Sequence, residues 1–330
     1  MTKRWKVPVM RRSARKSIFG GAAIVAVALA ASSGGYLLAT ADADQGSPAP
    51  LIPLEHHDPV VRKALLDLFS GSATRYAAQE ELVRRCMAGR GFTYVKNPVP
   101  TADVAPTLGQ DPYGLTPEQA RRTGYNSAEN AGDSPGEVDR SGVSKLSAEQ
   151  QKQWGEAYFG PEDAPEVTVD LPGGGTAGTT SEGCLAEAKK RLYGSLSDYV
   201  KLNSLAGNLP IWARREAASS PDMARIDSTW STCMTSRGYP NLKNPSAARE
   251  RSVDVYQRLG VVTGEARDQE ISLAVADAEC DRATDYTAQR VRIEDRHYGK
   301  TLKKYAAEVT DIKEMNASAL ARAQEALRAQ

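Results

Sequence analysis

The chain is poor in aromatic residues, histidine and cysteine, and each scarcity excludes a class of protein. Phe, Trp and Tyr together make up 6% of the 330 residues, which favours a helical interior of Ala, Leu and Val over an aromatic-rich β-sandwich. Three histidines, none of them beside a cysteine, leave a Cys/His dyad without support in the sequence. The four cysteines form no C-x-x-C pair, so we expect no zinc or other metal site, no thioredoxin-like redox site and no cofactor.

The sequence also lacks the short motifs of several enzyme classes. There is no G-x-S-x-G, H-E-x-x-H or Walker A pattern. A G-x-G-x-x-G pattern does occur at Gly173, Gly175 and Gly178, but a spacer follows it where a dinucleotide site needs the start of a helix. We therefore predict no catalytic residue. The closest set of carboxylates is spaced as on a solvated helix face: Asp277, Glu279, Asp281 and Asp285.

The net charge of +1 hides an uneven distribution along the chain. Residues 1–41 contain seven of the 42 Lys and Arg and no acid, so the remainder has 35 basic against 41 acidic residues. A protein that binds nucleic acid is expected to present a basic face. The weakly acidic body therefore argues against nucleic acid as a partner.

An uncharged apolar stretch of 22 residues, 18–39, follows a basic tail at 1–17. It reaches the roughly 20 residues that a membrane-spanning helix needs, and the basic tail predicts that the chain after it lies outside the cytoplasm. Two interpretations stay open: a single-pass anchor, which we favour because the apolar run resumes at Tyr36, or a signal peptide cleaved near Ala41. No cysteine lies near the stretch, which excludes a lipoprotein. Residues 40–57 are typical of a linker.

One motif occurs twice without a gap, C-M-x-x-R-G-[FY]-x-x-x-K-N-P, at residues 86–98 and 233–245. In each copy the glycine is predicted to be the left-handed residue just past a helix, which places the methionine at C3 and the aromatic residue at C″. These two positions make the hydrophobic contact of a Schellman motif. We interpret the motif as a structural helix cap rather than a ligand site, formed by Met87, Gly91 and Phe92 and by Met234, Gly238 and Tyr239.

An even number of cysteines in an exported body predicts disulfides. The cysteines are Cys86, Cys184, Cys233 and Cys280, which allow three connectivities. If the two motif copies follow one plan, each joins its cysteine to the next one along the chain, Cys86 to Cys184 and Cys233 to Cys280. Each bridge closes a long loop, which is worth about 4 kcal/mol in the chain-entropy model.

The overall pattern predicts a mainly α fold with two disulfide-stapled helical units of one plan, at 58–206 and 207–330. Alternating β-branched residues near 167–180 predict a small β-hairpin. The absence of proline from 265 to 329 predicts a long C-terminal helix. Its heptad seam indicates coiled-coil packing, with the first helix of this chain favoured as the partner over a second chain: Tyr298, Leu302, Tyr305, Val309, Ile312, Asn316 and Ala319.

Capping signals predict where individual helices begin and end. Asp58 and Pro59 form an N-cap and a first helical residue. The helix that they begin is predicted to kink or split at residues 70–72, which include a glycine. A later helix is predicted to end at residues 207–210. Asn244 and Pro245 are predicted to end any regular element that follows the glycine of the second motif.

The repeated motif occurs together with L-P-G-G-G at 171–175 and G-C-L-A-E-A at 183–188, ahead of L-Y-G at 192–194. This combination resembles uncharacterised actinobacterial exported or membrane-anchored proteins with repeated C-M-x-x-x-G-[FY] motifs and one amino-terminal hydrophobic segment. The resemblance covers roughly residues 75–300. It implies an exported, disulfide-bearing protein, and it brings no activity, substrate or binding residue.

These observations predict an extracytoplasmic, membrane-tethered helical protein that binds or scaffolds an envelope protein or a cell-wall partner without catalytic activity. One alternative is a cell-envelope enzyme such as a carboxylate-based hydrolase, which a cleft with two buried acids would favour. Another is an accessory or sensor subunit of a membrane transporter or kinase, with the long helix as its interaction surface. The sequence leaves this choice open.

Overall fold

The computed structural model describes residues 57–103, 114–126, 139–259 and 264–329. These ranges form a mainly α-helical fold with a two-stranded sheet, as predicted. The elements in chain order are α1 (Pro59–Asp67), α2 (Ser72–Gly89), α3 (Pro117–Thr123), a 3-10 turn (Val143–Lys145), α4 (Ala148–Phe159), β1 (Glu166–Asp170), β2 (Thr176–Thr180), α5 (Gly183–Tyr193), α6 (Leu196–Ala218), α7 (Pro221–Ser236), α8 (Pro245–Leu259), α9 (Gly264–Thr284), α10 (Tyr286–Lys304) and α11 (Ala306–Arg328).

The predicted tail at 1–17, the apolar stretch at 18–39 and the linker up to residue 56 lie outside the described residues. Among the helices that the structure describes, none combines the length and the apolar character needed to cross a membrane.

The first described helix begins as its sequence predicts. The carboxylate of Asp58 accepts hydrogen bonds from the backbone N–H groups of Val60 and Val61 at 2.8 and 3.2 Å, and Pro59 is the first helical residue. The predicted split is also confirmed, because α1 ends at Asp67 and α2 begins after Gly71. Gly71 has a φ of +73°, a backbone conformation that glycine adopts without steric cost.

The first motif copy ends α2 with Schellman geometry. Gly91 has a φ of +82°. The N–H of Phe92 donates to the carbonyl of Met87 at 2.9 Å, and the N–H of Gly91 donates to the carbonyl of Ala88 at 3.0 Å. These are the two hydrogen bonds that define the motif, and they satisfy carbonyls that the helix end would otherwise leave unpaired.

The second motif copy ends α7 in the same way. Gly238 has a φ of +87°, the N–H of Tyr239 donates to the carbonyl of Met234 at 3.0 Å, and the N–H of Gly238 donates to that of Thr235 at 3.1 Å. Both cap methionines, Met87 and Met234, are fully buried. The two copies therefore share one local structure as well as one sequence.

The predicted hairpin is present as the antiparallel pair β1 and β2, in which Thr168 lies opposite Gly178. The G-x-G-x-x-G pattern lies on this hairpin, with Gly173 and Gly175 in the turn and Gly178 in β2. These glycines therefore belong to a hairpin, whereas a dinucleotide fingerprint lies at the start of a helix.

The predicted helix end at residues 207–210 is wrong. Helix α6 continues through Pro210 to Ala218. Proline in a helix interior removes a backbone hydrogen bond and costs about 3 kcal/mol. Leu209 and Pro210 are both buried here, so tertiary packing outweighs the local preference. The boundary predicted between residues 206 and 207 thus falls inside one continuous helix.

The prediction that a regular element ends at Pro245 is also wrong, because Pro245 begins α8. The side-chain oxygen of Asn244 accepts a hydrogen bond from the N–H of Ala247 at 3.0 Å. Asparagine is a favoured N-cap residue and proline a favoured first helical residue, so Asn-Pro can start a helix as readily as it ends one. This missed helix forms one wall of a cleft that is described below.

A long C-terminal helix is confirmed as α11, which has 23 residues. The proline-free stretch from 265 to 329 is not one continuous helix, however, because it divides into α9, α10 and α11 at Asp285 and Tyr305. Asp285 has a φ of +53°, and aspartate is one of the few residues with a side chain that enters this left-handed region. The chain therefore changes direction there without a glycine.

The seam residues pack against other helices of the same chain. Tyr298 of α10 and Ile312 of α11 share one buried cluster with Leu65 of α1 and Leu209 of α6. Two further clusters surround the two disulfides, one between α2 and α5 and one between α7 and α9. These buried seam residues thus pack within this chain, against α6 as well as α1.

Candidate functional site

Each motif copy forms a covalent joint between two helices. In the first joint Cys86 of α2 is bonded to Cys184 of α5, with their Cα atoms 5.6 Å apart. Arg90 of the same motif donates from Nη2 to the Oε1 atom of Glu187 at 2.5 Å. The motif therefore holds α5 by a disulfide and by an ion pair.

In the second joint Cys233 of α7 is bonded to Cys280 of α9, with their Cα atoms 5.7 Å apart. Arg237 pairs with Glu279, which Arg121 of α3 also reaches at 3.5 Å. The two disulfides have the connectivity that the repeated motif predicts. The arginine–glutamate pairs were not predicted, because the glutamate follows its cysteine in one joint and precedes it in the other.

The likeness of the two joints extends to an acid six residues before each motif cysteine, Glu80, which is buried, and Asp227, which is half-buried. Glu80 accepts a hydrogen bond from the Tyr94 hydroxyl at 2.9 Å, and Asp227 accepts one from the Tyr286 hydroxyl at 2.7 Å. Burial raises the pKa of both carboxyls, since the charged form loses its hydration. These acids are held by tyrosines rather than exposed to a substrate.

Another buried acid, Asp277 of α9, lies in the core beside the second joint. Its two oxygens accept hydrogen bonds from the Tyr125 hydroxyl at 2.8 Å and from the indole N–H of Trp230 at 2.9 Å. Arg249 lies over the Tyr125 ring, 4.6 Å from its centre. Burial raises the pKa of Asp277 to about 6. The prediction of a solvated face is therefore wrong at this position.

The neighbouring carboxylates on and after α9 divide between half-buried and exposed positions. Asp281 accepts the N–H of Thr287 at 2.8 Å, and burial raises its pKa as well. Asp285 remains exposed, as predicted. A sequence window alone does not separate these cases, because the difference depends on which side of α9 is covered by α7 and α10.

A cleft with a volume of about 540 Å³ lies between α8 and α9. Tyr239, the aromatic residue of the second cap, lies on its wall. Val255 and Leu273 provide apolar surface, and Arg251 and Asp268 provide charges of opposite sign. Its volume is in the range of small-molecule sites, which are roughly 300–1,000 Å³.

Two buried polar side chains belong to this cleft. Ser252 is 1% exposed, and its hydroxyl oxygen has no hydrogen-bond partner among the described residues. Glu270 is also 1% exposed, and its carboxylate accepts the Tyr256 hydroxyl at 2.5 Å and the N–H of Tyr125 at 3.0 Å. Gly124 has room for no side chain, because a Cβ there would lie 2.9 Å from the Glu270 side chain.

The cleft can offer hydrogen bonds and opposite charges to a ligand at its rim, above an apolar surface. Its one buried acid, Glu270, already has two donors, and the other two carboxylates on its wall, Glu265 and Asp268, are exposed. Within the described ranges, no group of three or more histidine, cysteine, aspartate or glutamate side chains is arranged to hold a metal ion.

The sequence predicted one wall of the cleft and missed the other. Tyr239 was identified through its motif, and α9 was expected to be helical. The residues of α8 were missed, because Asn244 and Pro245 were interpreted as a stop rather than as a helix start. A test for an N-cap followed by proline would have found α8 and therefore the cleft.

Comparison of the chain with protein-family models, with curated proteins and with solved structures found no match.

Proposed function

We propose that this chain is an extracytoplasmic helical protein that is tethered to the membrane by residues 18–39 and binds or scaffolds a partner of the envelope or cell wall. The observation that carries the proposal is the state of the cysteines. All four are in two disulfides that join separate helices. Such bonds persist in oxidising compartments and are rare in the cytosol, where thiols are kept reduced.

The amino-terminal sequence supports the same compartment. A tail with seven basic residues precedes an uncharged apolar stretch, the order that leaves the tail in the cytoplasm and the following chain outside. An anchor keeps the body at the membrane, whereas cleavage near Ala41 releases it. We propose the anchor, because the apolar run continues to Ala39.

We propose the cleft between α8 and α9 as the surface for the partner. It joins an apolar floor to a rim that carries charges of both signs, a combination suited to a polar ligand with some apolar surface. The second disulfide joins α9, one wall of the cleft, to α7, whose C-terminal cap includes Tyr239 of the cleft lining.

The compartment is tested by the state and accessibility of the chain in bacterial cells that express it. With thiols blocked at lysis, a mass-tagged maleimide should label no cysteine before reduction and four after it. Protease added to spheroplasts should degrade the body. A matched chain without residues 18–39 should remain in the cytoplasm with reduced thiols. Reduced cysteines or full protease protection in the intact chain would overturn the proposal.

The binding surface is tested by a photo-crosslinking residue placed in the intact chain. Gln269 lines the cleft and is exposed, while Gln153 on α4 is equally exposed and lies outside it. We expect a discrete crosslinked product from position 269 and none from position 153. Equal products from both positions would show that the cleft is not the contact surface.

An activity assay on cell-wall material tests the alternative that the protein is an enzyme. The proposal fails if the protein degrades cell-wall material and if Glu270→Gln, which keeps the shape of the side chain, abolishes that activity. An amino-terminal mass measurement on the chain recovered from cells decides between the anchor and cleavage near Ala41.

A further inference from the structure

A second cleft, of about 550 Å³, lies beside α2 and is lined mainly by charged side chains. Arg84, Arg85 and Lys96 converge there on Glu81, whose side chain is 4% exposed, while theirs are 45, 31 and 46% exposed. Ala329, next to the end of α11, completes the lining. We name this the α2 cationic cleft.

The three cations donate four hydrogen bonds to the carboxylate of Glu81. Arg84 donates to both of its oxygens, at 2.6 and 3.0 Å, Arg85 donates at 2.9 Å and Lys96 at 3.2 Å. A carboxylate offers about four lone-pair sites, so all of them are occupied. These hydrogen bonds, led by those of Arg84, lower the pKa of Glu81 to about 2.

The cleft therefore keeps an excess of two positive charges in a fixed arrangement. Arg85 also donates to the carbonyl of Ala326 at 3.3 Å, which is a neutral acceptor. Among the described residues, Arg84 and Lys96 make hydrogen bonds with Glu81 alone. Each cation retains further N–H donors, because an arginine has five and a lysine three.

The second motif copy shows that the joint itself does not require these charges. At the positions of Glu81, Arg84 and Arg85 it has Ser228, Ser231 and Thr232, although the motif residues and the cap geometry are the same. Ser231 and Thr232 donate instead to backbone carbonyls, at 2.6 and 2.9 Å. Glu81 and the two arginines thus occur in one copy only, whereas the lysine belongs to the motif in both copies, as Lys96 and Lys243.

We propose that the α2 cationic cleft binds anions that carry a phosphate group, with Arg84 and Arg85 as the main contacts and Lys96 as a third cation. Arginine offers a planar fork of N–H donors that matches phosphate oxygens, and such charge-assisted hydrogen bonds are the strong ones. The cleft is large enough for a phosphate ester. This inference is independent of the proposed cellular location, since the cleft is complete in the folded body.

The test uses the full chain in phosphatidylcholine nanodiscs and measures binding by calorimetry. Inorganic phosphate is one probe, and a short-chain phosphatidylglycerol below its micelle concentration is the other. We compare the wild type with Arg84→Ser plus Arg85→Thr, which introduces the residues of the second copy. The double substitution should weaken phosphate binding roughly tenfold or more, because it removes both forked donors.

A matched control removes two cations from a different carboxylate. Arg225 and Arg296 pair with the exposed Asp222 at 3.5 and 2.5 Å. Arg225→Ser plus Arg296→Thr therefore changes the net charge equally, and phosphate affinity should stay within about twofold of wild type, since these exposed charges do not line the cleft and are screened by salt.

Phosphate binding that only the α2 substitutions weaken supports the proposal. If phosphate alone binds, the source is a soluble phosphate ester; if the lipid binds more tightly, it is a headgroup. Should the double variant fail to fold, Lys96→Ala, which removes a single contact with Glu81, should still weaken binding roughly threefold. The absence of binding to both probes, or equal losses in the α2 and control variants, overturns the proposal.

Discussion

Replacing the buried acid Asp277 by asparagine should change how the stability of the protein depends on pH. The pKa of its carboxyl is raised from an ordinary 3.8 to about 6, mainly by burial. A carboxyl whose folded pKa is raised stabilises the fold when protonated. That contribution is complete below pH 3.8 and is lost as the pH rises through 6.

The expected magnitude follows from the two pKa values. One pKa unit corresponds to about 1.4 kcal/mol, so the shift of roughly two units corresponds to about 3 kcal/mol between the acidic and neutral limits. Of this change, about 1 kcal/mol falls between pH 5 and pH 7. Since Asp277 is 6% exposed, solvent screening reduces this value little.

Asp277→Asn removes the titrating group and can keep both hydrogen bonds. The amide oxygen can accept the N–H of Trp230, and the amide nitrogen can donate to the hydroxyl oxygen of Tyr125, which is both a donor and an acceptor. Relative to wild type, the variant should therefore gain about 1 kcal/mol more stability at pH 7 than at pH 5. Urea unfolding at a series of pH values measures this difference.

Asp285→Asn is the matched control, because Asp285 is exposed and asparagine also tolerates its left-handed backbone. Its stability should follow the wild-type pH dependence closely. If Asp277→Asn and wild type lose stability in parallel between pH 5 and pH 7, the raised pKa of Asp277 is refuted. The comparison is between variants, so the titration of other carboxyls cancels.

Three further predictions concern the joints and the cationic cleft. Replacing both cysteines of the first disulfide by serine should lower the free energy of unfolding by about 4.7 kcal/mol, and replacing both of the second by about 4.1 kcal/mol, because the sequence separations are 98 and 47 residues. Urea unfolding measures both losses, and a larger loss for the second disulfide would contradict the chain-entropy argument. A Cβ added at Gly91 or at Gly89 would meet no atom within 4 Å, so the two positions differ mainly in backbone conformation. Gly91→Ala should destabilise the fold by about 1 kcal/mol because Gly91 has a positive φ, whereas Gly89→Ala inside α2 should stabilise it by about 0.5 kcal/mol. Equal shifts of the melting temperature in the two variants would contradict this. Glu81→Gln should remove the part of acid unfolding that occurs from pH 4.5 down to about 2, since its folded pKa is lowered, and an unchanged acid titration by circular dichroism would disprove that assignment.

The features that the sequence predicted are local or repeated. The two helix caps follow from residues within six positions of one another, because a Schellman motif needs only a glycine and a nearby pair of apolar side chains. The hairpin follows from alternation around a glycine turn. The disulfide pairing is a long-range feature, and it could be predicted only because one motif occurs twice and each copy is followed by one cysteine.

The features that the sequence missed depend on what covers each segment. Pro210 was expected to end a helix, yet burial of its helix on several sides outweighs the lost hydrogen bond. Asp277 was expected on a solvated face, yet Tyr125 and Trp230 approach it from other elements. Lys96 reaches Glu81 only because the cap at Gly91 turns the chain back along α2.

The sequence by itself thus determined the class of the fold, the caps and the disulfide pairs, which rest on composition, short-range chemistry and the repetition of one motif. Only the tertiary structure decided which acids are buried, where α8 and α9 leave a cleft, and that three cations share one carboxylate. Burial and charge convergence depend on contacts between elements distant in the chain, and no local pattern specifies those contacts.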